Sequence, residues 1–388
     1  RREEIANELR EKVGWWYGSN GRTNPKRDRT MRKNFDVPQH YYAGAPYTRL
    51  KEVQFNPGSR KHIYTVLQRD YGWEPTVFTP NSGEPKVSEE ILKGLDFDIA
   101  EDLVEFLTVK KRLGQIAEGK EAWLRHVKKH PDLGENVISH RCYQRPRTHR
   151  QAHSGPNVAQ VPKNSNPYGE ECRALFRAPK GWTMLGTDVS GLELRTVAHY
   201  MTRWDNGAYA EEVIEGDVHS RNQEAIEADE RDDAKTFIYA YLYGAGDETL
   251  GRALLDGATE KQAKKRGSTA RFGFEEKFPA LGYLVEATKR QVSKKGYLRL
   301  IDGRRAYPAA RYASLNTLIQ GTGAIICKAW LLELADLLTQ EFGNPAPYYE
   351  PVWRYPDAVW GGLGFVHDEV QLAAKTPENA EQAGRVSV

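Results

Sequence analysis

The sequence has few cysteines, no long uninterrupted apolar run and no excess of one charge sign. Its 388 residues include three cysteines, which are odd in number and widely spaced, so they match neither a disulfide framework nor a cysteine zinc cluster. The longest apolar stretch, residues 321–338, is interrupted by charged residues, so we expect no bilayer-spanning segment and no membrane partner. These absences predict a reducing, cytoplasmic setting.

The composition also excludes a disordered chain. Aromatic residues make up 11% of the sequence and the formal net charge is +3, whereas disordered chains lack aromatic residues and carry a large net charge. The length predicts two or three folded domains. The chain opens with Arg1 and shows no leader peptide, and we expect it to be a piece of a longer protein.

Charge is distributed unevenly along the chain. Residues 21–33 contain six basic residues and one acidic residue, and residues 141–150 contain four arginines and no acid. Residues 341–388, in contrast, contain seven acidic and three basic residues. Basic clusters with interleaved rings suit a polyanion such as a nucleic acid, although solvated loops have the same composition.

Local patterns in the N-terminal part predict helices separated by a loop. A charged helix is expected over residues 1–13, followed by a glycine-, asparagine- and proline-rich loop over residues 14–46. A second helix is expected to begin at Pro57, with Asn56 as its N-cap, and to end near residue 69.

Apolar residues recur at steps of three and four between residues 99 and 116, which predicts a long amphipathic helix. In that helix Lys110, Lys111 and Arg112 are expected to face water. The Pro-, Asn- and Gly-rich segment 155–176 is interpreted as a connector.

Three segments further along the chain have clear local signals. Residues 182–191 are interpreted as a short buried strand that ends in a carboxylate and precedes a helix. Residues 231–246 predict a helix stopped by glycine. Residues 361–374 predict a β-hairpin with Asp368 at its tip.

The helix over residues 231–246 places four functional side chains on one stripe. Arg231, Lys235, Tyr239 and Tyr243 are spaced four apart, so successive side chains are rotated by about 40°. Two cations followed by two phenol rings suit a nucleoside triphosphate lying along the helix. The spacing alone is also compatible with an ordinary solvated face, although exposed tyrosines in series gain little in water.

Two aspartates stand at the ends of predicted strands. Asp188 and Asp368 would meet if their strands pair in one antiparallel sheet, and two Mg²⁺ ions about 3.5–4 Å apart would then bridge them. Taken singly, an aspartate at a turn is usually a capping or turn residue.

Three motifs occur in order along the chain: DVSGLELR, RDDAKTFIYAYLYG and VHDE. Together they resemble the signature motifs of the family A, DNA polymerase I-type, polymerases. Further segments resemble the replicative DNA polymerase of short-tailed bacteriophages, among them YYAGAPYT, FNPGSRKH, PNVAQVP, GDVHSRNQ and LNTLIQGTGAIICKAW. The resemblance covers nearly the whole chain.

This resemblance implies an α+β fold of the right-hand polymerase type, with an antiparallel palm sheet and helical fingers and thumb. The thumb would span residues 1–122 and include a short basic insertion loop at about 15–41. The palm would comprise residues 123–200 and 323–388, and the fingers residues 201–322.

The resemblance also implies two Mg²⁺ ions, dNTPs and primer–template DNA as cofactors, substrates and partners. The implied metal ligands are the carboxylates of Asp188 and Asp368 and the backbone carbonyl of Val189. The implied nucleotide-binding residues are Ser190, Gly191, Leu192, Glu193, His219, Arg231, Lys235 and Tyr239. The implied DNA-binding residues are Arg150, Tyr243, Asn316, Gln320 and His367. Local structure alone would also account for His219 and Asn316.

Several of these residues have more specific implied roles. Glu193 would exclude the 2′-hydroxyl of a ribonucleotide, and Lys235 would bind the triphosphate and donate a proton to pyrophosphate. Tyr239 would set tolerance of a missing 3′-hydroxyl, and Tyr243 would stack near the template base.

Departures from the family pattern affect four regions. The family's Thr-Gly-Arg corner is Thr148, His149 and Arg150 here, which makes the placement of Arg150 an open question. The loop from about Trp15 to Tyr41 is short where the best-known relative carries a thioredoxin-binding insertion, so a thioredoxin-like processivity factor stays open. The exonuclease domain and the end of the palm are expected to lie outside this chain.

Three other functions remain as alternatives. A single-subunit RNA polymerase would share the aspartate pair and the cationic helix, but Glu193 and the Glu369 of VHDE disfavour it. A metal-dependent nuclease would not require the stripe from Arg231 to Tyr243. A non-catalytic nucleic-acid-binding remnant of a polymerase is the alternative from a different class.

Overall fold

The structure is a computed structural model that describes residues 1–31, 39–79, 82–129, 136–144, 146–255, 257–345 and 357–387. The chain divides into two compact units, residues 1–114 and residues 115–388. Both combine helices with small antiparallel sheets, so the fold class is α+β, in agreement with the sequence. The boundaries expected for thumb, palm and fingers stay predictions.

The first unit contains four helices and four strands within the described residues. In chain order these are α1 (Arg2–Val13), β1 (Trp15–Thr23), β2 (Arg29–Met31), β3 (Gln39–Tyr41), β4 (Tyr47–Gln54), α2 (Arg60–Tyr71), α3 (Glu89–Lys93) and α4 (Ala100–Leu113). The apolar faces of the helices share one core, which includes Ile5, Leu9, Ile63, Leu67, Leu92, Leu103 and Phe106.

The segment expected to be a loop over residues 14–46 forms strands instead. Strand β1 pairs with β4 in an antiparallel ribbon, and β2 pairs with β3. The prediction was wrong because it weighed glycine, asparagine and proline, whereas the consecutive aromatic residues Trp15, Trp16 and Tyr17 favour a strand. A register shift between Ser19 and Arg22 accommodates the polar residues between them. The part of the predicted loop at 32–38 lies outside the described residues.

The second helix begins later than expected. Ser59 is the N-cap of α2, and its side chain accepts a hydrogen bond from the backbone N–H of His62. Asn56 was expected to be this cap, but its Oδ1 accepts from the N–H of Gly58 at 2.9 Å. Because the Asn56 side chain closes its own turn, the helix starts three residues further on, at Arg60.

The long helix α4 matches its predicted position, with one exception on its polar face. It ends at Leu113 and continues as a π-helical turn, Gly114–Glu118. Lys110 and Lys111 are exposed as expected, but Arg112 is buried. Arg112 follows the buried Val109 by three positions and therefore lies on the inner face of the helix.

The second unit is larger and mostly helical. Its helices are α5 (Trp123–His126), α6 (Gly169–Ala174), α7 (Leu192–Asp205), α8 (Ala208–Glu215), α9 (Val218–Ile226), α10 (Arg231–Leu242), α11 (Asp247–Arg252), α12 (Glu260–Lys277), α13 (Pro279–Lys295), α14 (Ser314–Phe342) and α15 (Pro377–Val386). Its strands are β5 (Val127–Lys129), β6 (Asn136–Ile138), β7 (Arg141–Tyr143), β8 (Ala152–Ser154), β9 (Thr183–Asp188), β10 (Leu298–Arg299), β11 (Arg305–Ala306), β12 (Trp360–Val366) and β13 (Glu369–Ala374).

A three-stranded antiparallel sheet lies at the centre of this unit's functional region. The strand order is β12-β13-β9, so the hairpin β12–β13 pairs with the earlier strand β9 through β13. Apolar residues of β12 and β13 pack with α14, among them Trp360, Phe365, Leu372, Leu334 and Leu338. Strand β9 was expected to be buried, but as an edge strand it alternates between partly buried and exposed residues.

A second cluster joins the helices from α7 to α14. It includes Val197, Met201, Phe237, Tyr241, Phe274, Leu284 and Ile319. The segment 155–176, expected to be a connector, is mostly irregular but contains a 3₁₀ turn (Val158–Gln160) and the short helix α6.

Among the described residues, one helix is long and apolar enough to cross a bilayer. The segment 311–342, which includes α14, contains a window with a mean hydropathy of 1.3. The expectation that no segment reaches this threshold was therefore too strict. Core helices pass the same test, and α14 contributes buried residues to two hydrophobic clusters of this unit, so the feature is weak evidence for a membrane.

Candidate active site

The acidic edge, defined as Asp188, Asp368 and Glu369, lies where β9 meets the tip of the β12–β13 hairpin. Asp188 is the last residue of β9 and stands directly opposite Glu369 in the antiparallel register. The N–H of Val189 donates to the backbone carbonyl of Asp368 at 3.2 Å. The hairpin and its pairing with the earlier strand therefore bring the two predicted aspartates together, as the sequence pattern required.

Burial and mutual repulsion act together at the acidic edge. Burial raises the pKa of Asp188, and the charge of Asp368 raises it further. Burial also raises the pKa of Glu369, a shift opposed by Arg173 and reinforced by both aspartates. Glu369 was missed as a member of this group, although its position next to Asp368 in VHDE was visible in the sequence.

A tight turn connects the acidic edge to helix α7. Gly191 adopts a φ of 61° immediately before the helix, a left-handed conformation that favours glycine. The carbonyl of Ser190 accepts a hydrogen bond from Arg195 Nε at 3.0 Å. The side chain of Leu192 packs in the core against Gly323, so its expected nucleotide contact would have to come from the backbone.

Glu193, the second residue of α7, is the centre of a hydrogen-bond network. Its Oε1 accepts from Arg150 Nη2 at 2.8 Å and from the Tyr243 hydroxyl at 2.8 Å. The Glu193 side chain is only 12% exposed. Tyr243 is also hydrogen-bonded to Gln320 of α14. Arg150 and Tyr243 thus meet at the carboxylate of Glu193, and Gln320 joins this network through Tyr243.

The corner that carries Arg150 keeps the conformation expected of a glycine. His149 has a φ of 58°, and Lys328 Nζ donates to its backbone carbonyl at 2.5 Å. The departure from the Thr-Gly-Arg pattern therefore leaves the left-handed turn in place and Arg150 directed at Glu193. Because His149 has a side chain, its left-handed conformation is less favourable than that of a glycine at the same position.

The remaining predicted DNA-binding residues lie near this network. His367 has a φ of 58°, and its pKa is lowered by burial and by the charge of Arg150, while Asp368 and Glu193 act in the opposite direction. Asn316 lies one turn before Gln320 on α14, and its buried Oδ1 has no hydrogen-bond partner among the described residues. An unsatisfied buried acceptor of this kind is suited to a donor from a ligand.

Helix α10 presents its predicted stripe away from the core. The α10 stripe, defined as Arg231, Lys235, Tyr239 and Tyr243, is exposed or half-buried along its length. The opposite face is buried and consists of Ala234, Phe237, Ile238, Tyr241 and Leu242. Sequence spacing therefore predicted this face correctly.

The cationic end of the stripe is close to helix α9. Arg231 Nη2 donates to Asp217 Oδ1 at 3.1 Å, and Asp217 also caps α9, so its pKa lies well below the usual range because of these hydrogen bonds. Burial lowers the pKa of His219, and the charges of Arg231 and Lys235 lower it further. His219 Nδ1 is buried without a partner among the described residues. The sequence motif GDVHSRNQ included Asp217, whose capping position could have identified it.

The far end of the stripe faces the acidic edge. Burial raises the pKa of Tyr239, and the charges of Glu193 and Asp368 raise it further. Tyr239 is thus close enough to both acids to experience their charge. The α10 stripe therefore has cations at one end and carboxylates near the other, which is the polarity that a metal-bound triphosphate requires.

The chain is similar in sequence to known DNA polymerases. The family model for DNA polymerase family A matches residues 31–387. The DNA-directed DNA polymerases of Enterobacteria phage T3 and Escherichia phage T7 are each 37% identical to this chain over 98% of its length and 60% of theirs. The thermostable DNA polymerase I of Thermus aquaticus is 26% identical over 87% of the chain and 39% of its own length. The chain therefore spans about 60% of the length of the phage relatives.

Proposed function

The chain belongs to DNA polymerase family A, and on this premise we propose that it is a template-directed DNA polymerase that adds dNTPs to a primer 3′-hydroxyl and releases pyrophosphate. The observation that carries the proposal is the 2.8 Å hydrogen bond from the Tyr243 hydroxyl of the α10 stripe to Glu193, which follows Asp188 of the acidic edge by five residues. The phage relatives support a role in viral DNA replication in the host cytoplasm.

The acidic edge fits divalent cations. Its oxygen donors are the ligands that Mg²⁺ prefers, and burial together with the charge of Asp368 raises the pKa of Asp188, an effect that a bound cation would counteract. Two Mg²⁺ ions would be held by the carboxylates of Asp188 and Asp368 and by the backbone carbonyl of Val189. When bound, such ions activate the attacking hydroxyl and stabilise the leaving oxygen.

The α10 stripe orients the incoming triphosphate. Arg231 and Lys235 contact phosphate oxygens, and His219, which lies near both cations, adds a further ligand. The Arg231–Asp217 ion pair is exposed, so a phosphate replaces Asp217 at small energetic cost. Lys235 also donates a proton to the departing pyrophosphate.

Glu193 and its neighbours select the sugar and read the base pair. The Glu193 carboxylate, held by Arg150 and Tyr243, occupies the space next to the sugar C2′ and excludes a ribonucleotide hydroxyl. Arg150, Gln320 and His367, together with Asn316, contact the minor groove and the primer end. These donors read acceptors common to all correct base pairs, so recognition depends on geometry and not on sequence.

The proposal further assigns the helical and sheet parts to a right-hand fold. The sheet β12-β13-β9 forms the palm, the helices α8 to α13 form the fingers, and the first unit forms the thumb. The basic β-ribbon of the first unit contributes to duplex binding. Whether a thioredoxin-like processivity factor binds at this ribbon is a question for a binding experiment.

A primer-extension assay tests this function. With Mg²⁺, primer–template DNA and dNTPs we expect template-dependent elongation by the full chain, and no elongation with NTPs. Elongation with NTPs instead of dNTPs would support a single-subunit RNA polymerase. DNA binding without elongation, in a protein shown to be folded by circular dichroism, would support a non-catalytic remnant.

A further inference from the structure

A cluster of two histidines and one cysteine lies on the hairpin formed by β7 and β8. Cys142 of β7 stands directly opposite His153 of β8, so both side chains lie on one face of the hairpin. His140 precedes Cys142 by two positions and therefore shares that face. One ligand atom from each residue lies within 4.8 Å of the others, and Cys142 Sγ is 3.2 Å from His153 Nδ1.

Contacts among the described residues leave one hydrogen-bonding group of this cluster without a partner. The rings of His140 and His153 stack with centroids 5.5 Å apart. His153 is 8% exposed, and its Nε2 is buried with no hydrogen-bond partner among the described residues. Cys142, in contrast, is exposed, so an ion from solvent has a route to the cluster. The ring nitrogen that faces the accessible thiol is His153 Nδ1, and an imidazole nitrogen beside a thiol is a pair of donors that zinc-class cations bind.

The cluster is separate from the acidic edge but adjoins the same hairpin. The charge of His367 acts on His153, and a Cβ placed on Gly364 of β12 would lie 3.7 Å from His140 Cε1. The β7–β8 hairpin therefore rests against the strand that leads to Asp368. Arg150, which binds Glu193, belongs to the segment that joins β7 to β8.

We propose that His140, Cys142 and His153 form a binding site for a zinc-class divalent cation. Two imidazoles and a thiolate are the ligands that select Zn²⁺ and related transition metals, whereas Mg²⁺ takes oxygen ligands such as those of the acidic edge. Bond lengths of about 2.0–2.3 Å place tetrahedral ligand atoms roughly 3.5 Å apart, so small side-chain rotations complete the site. Water takes the fourth position.

Metal binding at this site stabilises the short β7–β8 hairpin. Strands β7 and β8 have three residues each, and a metal bound to both of them adds a cross-link where few backbone hydrogen bonds are available. The bound metal therefore restricts the movement of the two strands that flank the segment containing Arg150. The inference is independent of polymerase activity, because it concerns binding of an ion by residues outside the acidic edge.

Cobalt provides a direct spectroscopic test. The purified full chain, stripped with a chelator, is titrated with Co²⁺ alone and then with Zn²⁺ as competitor, in the presence of excess Mg²⁺. We expect one Co²⁺ per chain with a thiolate-to-cobalt charge-transfer band in the near ultraviolet, displaced by Zn²⁺ and unaffected by Mg²⁺. Absence of this band in the folded protein would overturn the proposal.

Variants identify the ligands. Cys142→Ser should abolish the charge-transfer band, and His140→Ala or His153→Gln should weaken Zn²⁺ binding by about tenfold or more, since even loss of an outer partner of a ligand costs 10–100-fold. His199→Ala, an exposed histidine on α7, is the matched control and should bind Zn²⁺ like the parent. Unchanged affinity in the Cys142→Ser protein would contradict the assignment.

A measurement on the unaltered chain avoids reliance on variants that fail to fold. Zn²⁺ should protect Cys142 from alkylation by iodoacetamide, as read by peptide mass spectrometry, while Cys172 and Cys327 are buried and react slowly in either case. Equal labelling of Cys142 with and without Zn²⁺ would refute the site.

Discussion

The acidic edge and the α10 stripe carry opposite charges and are held in opposite ways. The carboxylates of the acidic edge are positioned by backbone pairing between β9 and β13, and burial and repulsion raise the pKa values of Asp188 and Glu369. The cationic end of the stripe is solvated, with Arg231 53% exposed in its ion pair with Asp217. The difference indicates that the acidic edge is held together at a cost to stability, whereas the cationic end of the stripe is solvated and costs little. Under the proposed function, the first region would bind metal ions and the second would bind phosphates.

The largest effect is expected at the acidic edge. Asp368→Asn should lower primer extension by about 10³-fold or more, because the stabilisation of the transition state by metal ions is worth several kcal/mol. The same change should raise the melting temperature in EDTA, since it removes a charge that repels Asp188. Single-turnover extension and thermal unfolding measure the two effects.

Asp336→Asn is the matched control for this experiment, because Asp336 is an exposed acid on α14. It should leave both the rate and the melting temperature unchanged. Asp368→Asn with a parental rate, or with lower stability in EDTA, would show that the acidic edge is not the strained metal site described here.

A smaller effect on rate, and none on stability, is expected at the stripe. Lys235→Ala should lower kcat/KM for dNTPs by about 10–100-fold, because it removes a charge-assisted contact to phosphate, worth about 1.5–3 kcal/mol. The melting temperature should not change, because the Lys235 side chain is exposed. Steady-state extension over a range of dNTP concentrations measures the effect, and Lys261→Ala on α12 is the control. A destabilised Lys235→Ala protein would remove the contrast between the two regions.

Glu193 lies between the two regions, and its substitution should change selectivity. Glu193→Ala should relax discrimination against UTP relative to dTTP by about 10–100-fold, since a filled space next to C2′ is opened. Glu193→Gln keeps the volume and should retain most of the discrimination. If competitive incorporation gives the same UTP to dTTP ratio in parent and Glu193→Ala, sugar selection depends on another residue.

Tyr239 allows a finer test at the end of the stripe. Tyr239→Phe removes only the hydroxyl, which we propose donates a hydrogen bond near the missing 3′ group of a dideoxynucleotide. One hydrogen bond is worth about 0.5–1.5 kcal/mol, so the ddTTP to dTTP incorporation ratio should fall by about 2- to 12-fold while dTTP incorporation is nearly unchanged. A lower melting temperature with an unchanged ratio would support a packing role instead.

The smallest effect concerns pH. Because the pKa of Asp188 is raised above its ordinary value of 3.8, the folded state binds the proton more tightly than the unfolded state. The free energy of unfolding in EDTA should therefore fall as pH rises from about 4 through the raised pKa. The advantage of Asp188→Asn over the parent should be larger at pH 7.5 than at pH 4, as measured by urea unfolding. If the stability advantage of Asp188→Asn over the parent decreased with rising pH, the prediction that folding raises the pKa of Asp188 would be wrong.

Local patterns predicted the elements that carry the site. The β12–β13 hairpin with Asp368 at its tip, strand β9 and helices α7 and α10 occur where the sequence placed them. Each is a contiguous segment whose periodicity or flanking residues report its conformation. The α10 stripe also follows directly from its spacing of four, because helical geometry alone decides which side chains share a face.

Local patterns failed where burial or pairing depends on distant segments. Arg112 was expected in water but lies inside, and residues 14–46 were expected to be a loop but form strands β1, β2 and β3 in their described part. Composition reports turn-forming residues, but a strand depends on a partner strand that composition does not identify.

The arrangement of the site was decided by tertiary packing. Glu193 receives hydrogen bonds from Arg150 and Tyr243, which are 43 and 50 positions away in the chain. Cys142 and His153 meet because β7 pairs with β8, although the cysteine spacing indicated no metal cluster. The sequence determined the helix faces, the hairpin and the residue types of the motifs, since these depend on neighbouring residues. Only the packed fold decided which carboxylate, phenol and imidazole come within a few ångströms, because those distances depend on the contacts of whole elements.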